Sequence, residues 1–132
     1  MVKFGERLPR LMVRGWELHY IDYEGLKSIL ERGGDPVRMT GDFFKKLESG
    51  IQRVDHFVEE QLDEIRAAHR AAKNNQLALE GVKSDLDKLR RFVGTNIIAA
   101  TKIVKKHDKS VDESLRKRKQ VADLIMACAG LQ

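Results

Sequence analysis

Apolar side chains recur at spacings of three and four residues through the middle of the chain, and this pattern limits the folds available to it. The stripe consists of Phe44, Leu47, Ile51, Val54, Val58, Ile65 and Ala72. Its period is that of an α-helix, and its length of about 35 residues suits coiled-coil-like packing better than a short globular helix. Thr40 has the side chain of a good N-cap, so the pattern predicts a long helix over residues 40–80.

A second apolar stripe follows and predicts another long helix over residues 82–109. Its members are Leu86, Leu89, Val93, Ile97, Ala100 and Val104. Gly81 is the predicted turn between the two helices. Two such helices joined by a short turn must run antiparallel to bury both stripes, which indicates a helical bundle.

The remaining segments predict shorter helices. Residues 1–35 predict a helical hairpin, with one helix over residues 2–13 and a second over residues 16–32, followed by a turn at residues 33–36. The expected buried residues of the second helix are Leu18, Ile21, Leu26, Ile29 and Leu30. Residues 111–129 predict a further amphipathic helix. The fold class expected is all-α, with an N-terminal helical hairpin packed on long antiparallel helices in a three-helix-bundle-like core, and with residues 1–132 as a single domain.

Length and composition indicate the number of domains and the cellular compartment. Its 132 residues suffice for one core, and the one cysteine, Cys128, excludes an intramolecular disulfide framework and fits a reducing compartment. The longest run without a charged residue, Phe92 to Thr101, is about half of what a membrane-spanning helix needs. We therefore expect no transmembrane segment and a cytoplasmic location, or the cytosolic face of a membrane if the chain is part of a larger membrane protein.

The net charge of +5 is concentrated in one stretch of the sequence. Residues 101–120 contain eight basic and three acidic side chains, an excess of five positive charges, whereas the other 112 residues contain 17 of each sign. An anionic partner is therefore expected near the carboxy-terminal third.

The segment KIVKKHDK, residues 102–109, places its four lysines on one side of the predicted helix. Lys102, Lys105, Lys106 and Lys109 fall within a sector roughly 100° wide, opposite the apolar stripe. Like charges at these spacings destabilise a helix by about 0.2–0.5 kcal/mol per pair, and Asp108 is the one acid close in sequence that could neutralise them. A bound anion would relieve this repulsion, although a solvated lysine-rich face would show the same pattern.

Two earlier segments add groups of similar chemistry. Tyr23 and Lys27 are four residues apart and share a helix face, and Lys3 contributes an ammonium group near the amino terminus. A phenol donor with several flexible point charges suits several phosphate groups on one compact ligand. Taken singly, the favoured interpretation of Tyr23 is an edge-of-core residue, and that of Lys27 is an ordinary surface lysine.

Three segments together resemble the SPX domain family. MVKFGERL at the amino terminus resembles the family's M-K-F-G-x-x-L start with one extra residue, Val2. YIDYEGLK (residues 20–27) is similar to its Y-I-x-Y-x-x-L-K segment, and KIVKKHDK to its K-I-x-K-K-x-D-K segment. The three motifs occur in the family's order, and the resemblance extends from residue 1 to about residue 110.

This resemblance implies a non-enzymatic sensor of inositol polyphosphates and pyrophosphates that reports phosphate status to a protein partner or to a fused catalytic or transport domain. The ligand-binding residues it implies are Lys3, Tyr23, Lys27, Lys102, Lys105, Lys106 and Lys109. Among them, Tyr23, Lys27 and Lys106 would form the primary phosphate cluster. No cofactor is implied.

The sequence leaves some alternatives open. Beyond residue 110 the sequence no longer resembles the family pattern. The basic residues Arg116 to Lys119 could extend the basic surface or form a solvated run, and the solvated run is the favoured interpretation. A helical adaptor or a basic nucleic-acid-binding module remains the alternative function. Nucleic-acid binding is not expected, because the basic cluster is compact and few aromatic residues could stack on bases.

Catalytic and metal-binding patterns are weak. None of the four histidines follows a Glu or Asp by three residues, and no G-x-x-x-x-G-K loop is present. The acidic run Glu59, Glu60, Asp63 and Glu64 near His56 reads as an exposed helix face rather than a metal site. His107 is predicted at an edge of the last helical turns, and Cys128, beside Met126 and Ala129, as a packing residue.

Overall fold

Two long helices form the frame of the molecule. The structure, a computed structural model, describes residues 2–128. Its helices are α1 (Phe4–Leu11), α2 (Tyr23–Arg32), α3 (Pro36–Ala72), α4 (Gln76–Lys109) and α5 (Arg118–Ala127), with short 3₁₀ turns at Glu17–His19 and Glu113–Leu115. No strand occurs among these residues, and the predicted all-α fold class is confirmed. Within the same range, no helix combines the length and apolar character needed to span a membrane.

Helices α3 and α4 pack antiparallel along most of their length. They are joined by residues 73–75, and at their other ends Thr40 of α3 contacts His107 of α4 through a 2.8 Å hydrogen bond. The largest fully buried apolar side chains between the helices are Phe43, Leu47, Ile51, Val54, Val58, Phe92, Ile103, Val104 and, from α2, Leu26. Burying a side chain of this size contributes about 1.5–3 kcal/mol, so this shared stripe is the main source of stability.

An aromatic cluster attaches the amino-terminal segment to this frame. The Trp16 ring lies edge-on to Phe57 and Phe92, at centroid distances of 5.2 and 5.6 Å, and the Tyr20 ring lies 4.6 Å from that of Phe92. The Tyr20 hydroxyl accepts a hydrogen bond from the Val13 N–H at 2.7 Å. Residues 13–20 are therefore fixed although they contain little regular helix.

The turn between the long helices lies at Lys73–Asn75, so the prediction of a turn at Gly81 is wrong. Lys73 ends α3 with a φ of 49°, and the Asn75 side chain caps α4 by accepting from the Ala78 N–H at 3.1 Å. Gly81 lies inside α4 and is exposed. A helix-interior glycine costs about 1 kcal/mol relative to alanine, which burial of the next residue, Val82, is large enough to offset.

The long helix begins four residues earlier than expected. It starts at Pro36, with Asp35 in the N-cap position, because proline at the first helical position loses only an N–H that would have no helical partner. Thr40 is therefore not a cap: it lies inside α3, buried against His107.

The second predicted helix, residues 16–32, is shorter than expected. The Asp22 carboxylate accepts from the Gly25 N–H at 3.0 Å and sets the start of α2 at Tyr23. Leu18 precedes this cap and is 94% exposed, which contradicts its predicted burial. Leu86 of the second stripe is also not part of the buried core, since it is 40% exposed.

The carboxy-terminal segment is divided rather than one helix over residues 111–129. The turn at Glu113–Leu115 separates α4 from α5, whose Val121 is buried in the core. Cys128 is buried, whereas Met126 is 68% exposed, and Ala129 lies outside the described residues.

Candidate anion-binding site

A cavity of about 380 Å³ opens where the start of α1, the start of α2 and the last turns of α4 meet. We call it the lysine pocket. It is lined by Lys3, Phe4, Gly5, Glu6, Tyr23, Glu24, Lys27, Lys102, Lys105, Lys106 and Lys109.

All seven residues predicted to bind ligand line this one cavity. The first and last of them, Lys3 and Lys109, are more than a hundred residues apart in the sequence, and the packing of three helices brings them together. Four lining residues were not predicted: Phe4, Gly5, Glu6 and Glu24. Phe4 and Gly5 belong to the amino-terminal motif and could have been included on that ground; the two glutamates carry no such signal.

The four lysines of α4 project from an anchored helix. Lys102, Lys105, Lys106 and Lys109 are exposed, as expected for one helix face. The opposite face is buried through Ile103, Val104 and His107, so the positions of the lysine backbone atoms are set by core packing.

Helix α2 contributes a phenol and an ammonium group. The ring of Tyr23 is buried edge-on against Phe4, with centroids 5.3 Å apart, and its hydroxyl makes no hydrogen bond within residues 2–128. Burial, followed by the negative charge of Glu24, raises the pKa of the Tyr23 hydroxyl above its ordinary value. The phenol therefore stays protonated at neutral pH and can donate. Lys27 is partly buried and lies 3.9 Å from Glu31.

Helix α1 closes the pocket by a close approach to α2. A Cβ at Gly5 would lie 2.8 Å from the Glu24 carboxylate and 3.2 Å from the Tyr23 ring, so the helices reach this separation because residue 5 has no side chain. Lys102 lies over the Phe4 ring at 5.6 Å, an arrangement typical of a cation–π contact.

Polar contacts hold the segment before α2 against the long helices α3 and α4. The Asn96 side chain accepts from the Ile21 N–H at 2.9 Å and donates to the Phe92 carbonyl at 2.9 Å, which ties the segment before α2 to α4. Asp22 also forms an ion pair with Lys46 of α3 at 3.3 Å. The hydrogen bond from the Gly25 N–H, together with the contacts from Lys46, outweighs burial and holds the pKa of Asp22 below its ordinary value.

His107 is not an edge residue, as the sequence had predicted, but is completely buried beneath the lysine face. Its ring stacks on Phe43 at 4.7 Å, with Nε2 2.8 Å from the Thr40 hydroxyl and Nδ1 2.8 Å from Asp108. One face of the last turn of α4 therefore packs in the core. This histidine cannot contact a ligand in the pocket.

Asp108, the one acid close in sequence to the α4 lysines, forms its hydrogen bonds elsewhere. It is 4% exposed, and its two oxygens accept hydrogen bonds from His107 and from the backbone N–H groups of Lys117 and Arg118. Six lysines and two glutamates line the pocket, which leaves an excess of four positive charges. Apart from Lys27, none of these lysines has an ion-pair partner among the described residues.

The acidic run on α3 is arranged differently from a metal site. His56 pairs with Glu60 at 3.2 Å, and Asp63 pairs with Arg66 at 3.5 Å. Within residues 2–128, no three or more His, Cys, Asp or Glu side chains converge as metal ligands would.

Known proteins are similar to this chain in sequence and in architecture. No family model matches the chain. Two SPX domain-containing membrane proteins of Arabidopsis thaliana are 29% and 30% identical to it, each alignment covering 83% of this chain and 19% of the relative. A solved structure of the SPX domain of glycerophosphodiester phosphodiesterase 1 from Chaetomium thermophilum, in complex with inositol hexakisphosphate, superposes with a TM-score of 0.86. That match has 23% sequence identity and covers 99% of this chain and 89% of the other.

The sequence relatives and the structural match together support an SPX domain. SPX domains are regulatory ligand-binding modules, and the relatives are named for this domain and not for an enzymatic activity. This SPX domain spans about a fifth of the length of the membrane proteins it matches.

Each of the three SPX motifs contributes one wall of the lysine pocket. The amino-terminal motif forms the start of α1, residues 20–27 lead into α2, and residues 102–109 form the end of α4. The pocket therefore lies where the resemblance to the family is strongest. Residues 110–128 line none of it.

Proposed function

We propose that this SPX domain binds inositol polyphosphates and pyrophosphates in the lysine pocket and passes the bound state, as a report of phosphate status, to an attached or separate protein partner. The observation that carries the proposal is the convergence of six lysines and the Tyr23 phenol on one cavity with an excess of four positive charges. The similar SPX domain of the Chaetomium enzyme was solved with inositol hexakisphosphate, which supports this ligand class.

The chemistry of the pocket suits several phosphates on one rigid ring. Lysine ammonium groups are compact charges on flexible stems, so the α4 lysines can each follow a different phosphate oxygen. Tyr23 adds a neutral donor from the opposite wall. The first N–H groups of α1 have no helical partner and, with the helix dipole, favour negative charge beside Lys3.

A partner could detect the bound ligand because the site is formed by three different helices. A ligand contacting α1, α2 and α4 together stabilises the arrangement in which these helices are closest. An attached domain that contacts α1 or the end of α4 would then meet a different surface in the two states. Since the relatives are named membrane proteins, we place this domain at the cytosolic face of a membrane, as one part of a longer protein.

Calorimetric titration with inositol hexakisphosphate tests the proposal. We expect binding at micromolar or lower concentration, and we expect Lys106→Ala to weaken it by about ten- to a hundredfold, because a charged hydrogen bond contributes about 1.5–3 kcal/mol. Tyr23→Phe should also weaken binding while keeping the ring that packs against Phe4. Lys83→Ala, an exposed lysine near the other end of α4, is the matched control.

Two results would contradict the proposal. One is the absence of binding to the folded wild-type chain. The other is an equal loss of affinity in Lys106→Ala and in the Lys83→Ala control, since this would mean that net charge and not the pocket determines binding. Retained binding to DNA or RNA in either case would favour the nucleic-acid alternative.

A further inference from the structure

A second basic concavity lies beside the lysine pocket, at the junction of α4 and α5. We call it the C-terminal groove. Its volume is about 670 Å³, and it is lined by Asp108, Lys109, Glu113, Arg116, Arg118, Lys119 and Ala122. Lys109 lines both concavities, so the groove and the pocket meet at this side chain.

The groove has an excess of positive charge that the chain does not neutralise. Four cations line it, and none of them forms an ion pair within residues 2–128. Of the two acids, Asp108 is buried and its oxygens are occupied by His107 and by backbone N–H groups. Glu113 is thus the one exposed carboxylate among the lining residues.

The cations project from a fixed segment and not from a free tail. The Asp108 carboxylate accepts from the backbone N–H groups of Lys117 and Arg118 at 2.9 and 3.0 Å, which holds the start of α5 against the end of α4. The Lys117 ammonium group lies over the Phe44 ring of α3, 4.9 Å from the ring centroid, and Val121 is buried in the core. The backbone that carries Arg116, Arg118 and Lys119 is therefore held on both sides. Their side chains are exposed, as the favoured interpretation of a solvated run requires, but they project from a backbone that is held in place.

We propose that the C-terminal groove is a second phosphate-binding site, which takes a phosphate-rich anion separately from the ligand of the lysine pocket. The proposal goes beyond the function assigned to the pocket and does not depend on it. The pocket presents lysines and a phenol, whereas the groove presents two arginines, whose planar guanidinium groups donate to phosphate in a bidentate manner. The ligand chemistry is a cluster of phosphate groups, either on a soluble polyphosphate or on a phosphorylated lipid headgroup.

The test uses the full chain with the lysine pocket disabled by Tyr23→Phe and Lys106→Ala. Inorganic tripolyphosphate is titrated while the arginine Nε–H signals are followed by NMR. We expect saturable shifts at Arg116 and Arg118, and we expect the further changes Arg116→Gln, Arg118→Gln and Lys119→Gln to weaken binding at least about tenfold. The matched control, with the same loss of charge, is Lys73→Gln, Lys83→Gln and Lys88→Gln, all exposed and distant from the groove. Helical circular dichroism verifies that each variant is folded.

A second arm identifies the source of the phosphates. Co-sedimentation with phosphatidylcholine vesicles, with and without phosphatidylinositol bisphosphate, is compared for the pocket-disabled chain and its groove variant. If the pocket-disabled chain sediments with the bisphosphate vesicles and its groove variant does not, the site binds a lipid headgroup. If the pocket-disabled chain binds tripolyphosphate but does not sediment with these vesicles, the site binds a soluble anion.

The experiments distinguish an error in the groove proposal from an error in the pocket proposal. The proposal is overturned if the folded pocket-disabled chain does not bind tripolyphosphate, or if the groove variant and the charge control lose affinity equally. An effect of Lys106→Ala on inositol hexakisphosphate binding to the otherwise unchanged chain reports on the pocket alone and would stand in either case.

Discussion

His107 and Asp108 connect the core to both basic surfaces at the scale of single residues. The imidazole is buried between Thr40 and Phe43 of α3, and its Nδ1 lies 2.8 Å from the Asp108 carboxylate. The carboxylate in turn holds the start of α5. A burial pattern of this kind is stable only when each polar atom has a partner, and none of the buried side-chain polar atoms in the described part of the chain lacks one. Together, these two residues therefore help to set the positions of the lysines on α4.

Replacement of Asp108 by asparagine should destabilise the fold in a pH-dependent way. The carboxylate accepts three hydrogen bonds, and an amide oxygen with an adjacent NH₂ group cannot accept them all. We expect Asp108→Asn to lower the free energy of unfolding at neutral pH by about 1–3 kcal/mol, measured by urea denaturation.

The pH dependence follows from the pKa of this carboxyl. Burial raises the pKa, but the hydrogen bonds from Lys117, His107 and Arg118 outweigh burial, so the pKa of Asp108 lies below its ordinary value. A lowered pKa contributes stability that is present above the unfolded-state value of about 4 and is lost as the pH falls through the folded-state value. The difference between wild type and Asp108→Asn should therefore shrink below about pH 4. A difference that stays constant down to the acid-unfolding transition would contradict this role.

At the scale of the helical elements, the placement of the turn sets the register of the two long helices. Because the connection lies at residues 73–75, α4 begins at Gln76 and reaches Lys109 without interruption. Phe92 and Ile103 are then fully buried, while Leu86, which the apolar spacing had placed in the core, is partly exposed. The lysine face keeps its predicted position, because it is defined relative to residues on the same helix.

Replacement of Gly81 by alanine tests this placement. Gly81 lies inside α4, and a Cβ there would have no neighbour within 4 Å. We expect Gly81→Ala to raise the free energy of unfolding by about 0.5–1 kcal/mol, because alanine reduces the conformational entropy of the unfolded chain and favours helix. Thermal and urea denaturation measure this change. A loss of stability would instead support a turn at residue 81, and unchanged affinity for inositol hexakisphosphate is the control that the pocket is intact.

At the scale of the whole molecule, the lysine pocket exists only because residues from both ends of the chain meet. Lys3 and Tyr23 belong to the amino-terminal helices, and Lys106 lies near the end of α4. Their ammonium and phenol groups surround one cavity whose positive charge is not balanced by the chain. A ligand that binds there competes with salt for these charges.

Affinity for inositol hexakisphosphate should therefore fall steeply with ionic strength. The Debye length shortens from about 10 Å at 0.1 M to about 3 Å at 1 M, and across this range we expect the affinity to fall at least about tenfold. Titrations in chloride buffers of increasing concentration measure the change, with helical circular dichroism in each buffer as the control for folding. An affinity that does not depend on salt would show that ion pairs with phosphate are not the main contacts.

The motifs predicted the pocket more accurately than the periodicity predicted the helix boundaries. All seven proposed ligand-binding residues line one cavity, although their role in binding remains a prediction. By contrast, Thr40, Gly81 and Leu18 were each assigned a local role that the structure does not give them. A cap or a turn is a competition between neighbouring residues: Asp35 and Asn75 take the N-cap positions of α3 and α4, and the cap at Asp22 starts α2 after Leu18.

The sequence by itself determined the helical class, the long antiparallel pair and the lysine face of α4, because these depend on the spacing of residues along one helix. Only the tertiary structure decided that His107 is buried, that Asp108 is withdrawn from the lysines, and that Arg116 and Arg118 line a groove. The physical reason is that burial and pairing depend on contacts between distant segments. Those contacts, such as Thr40 with His107, are set by the packing of whole helices and leave no periodic signal in the sequence.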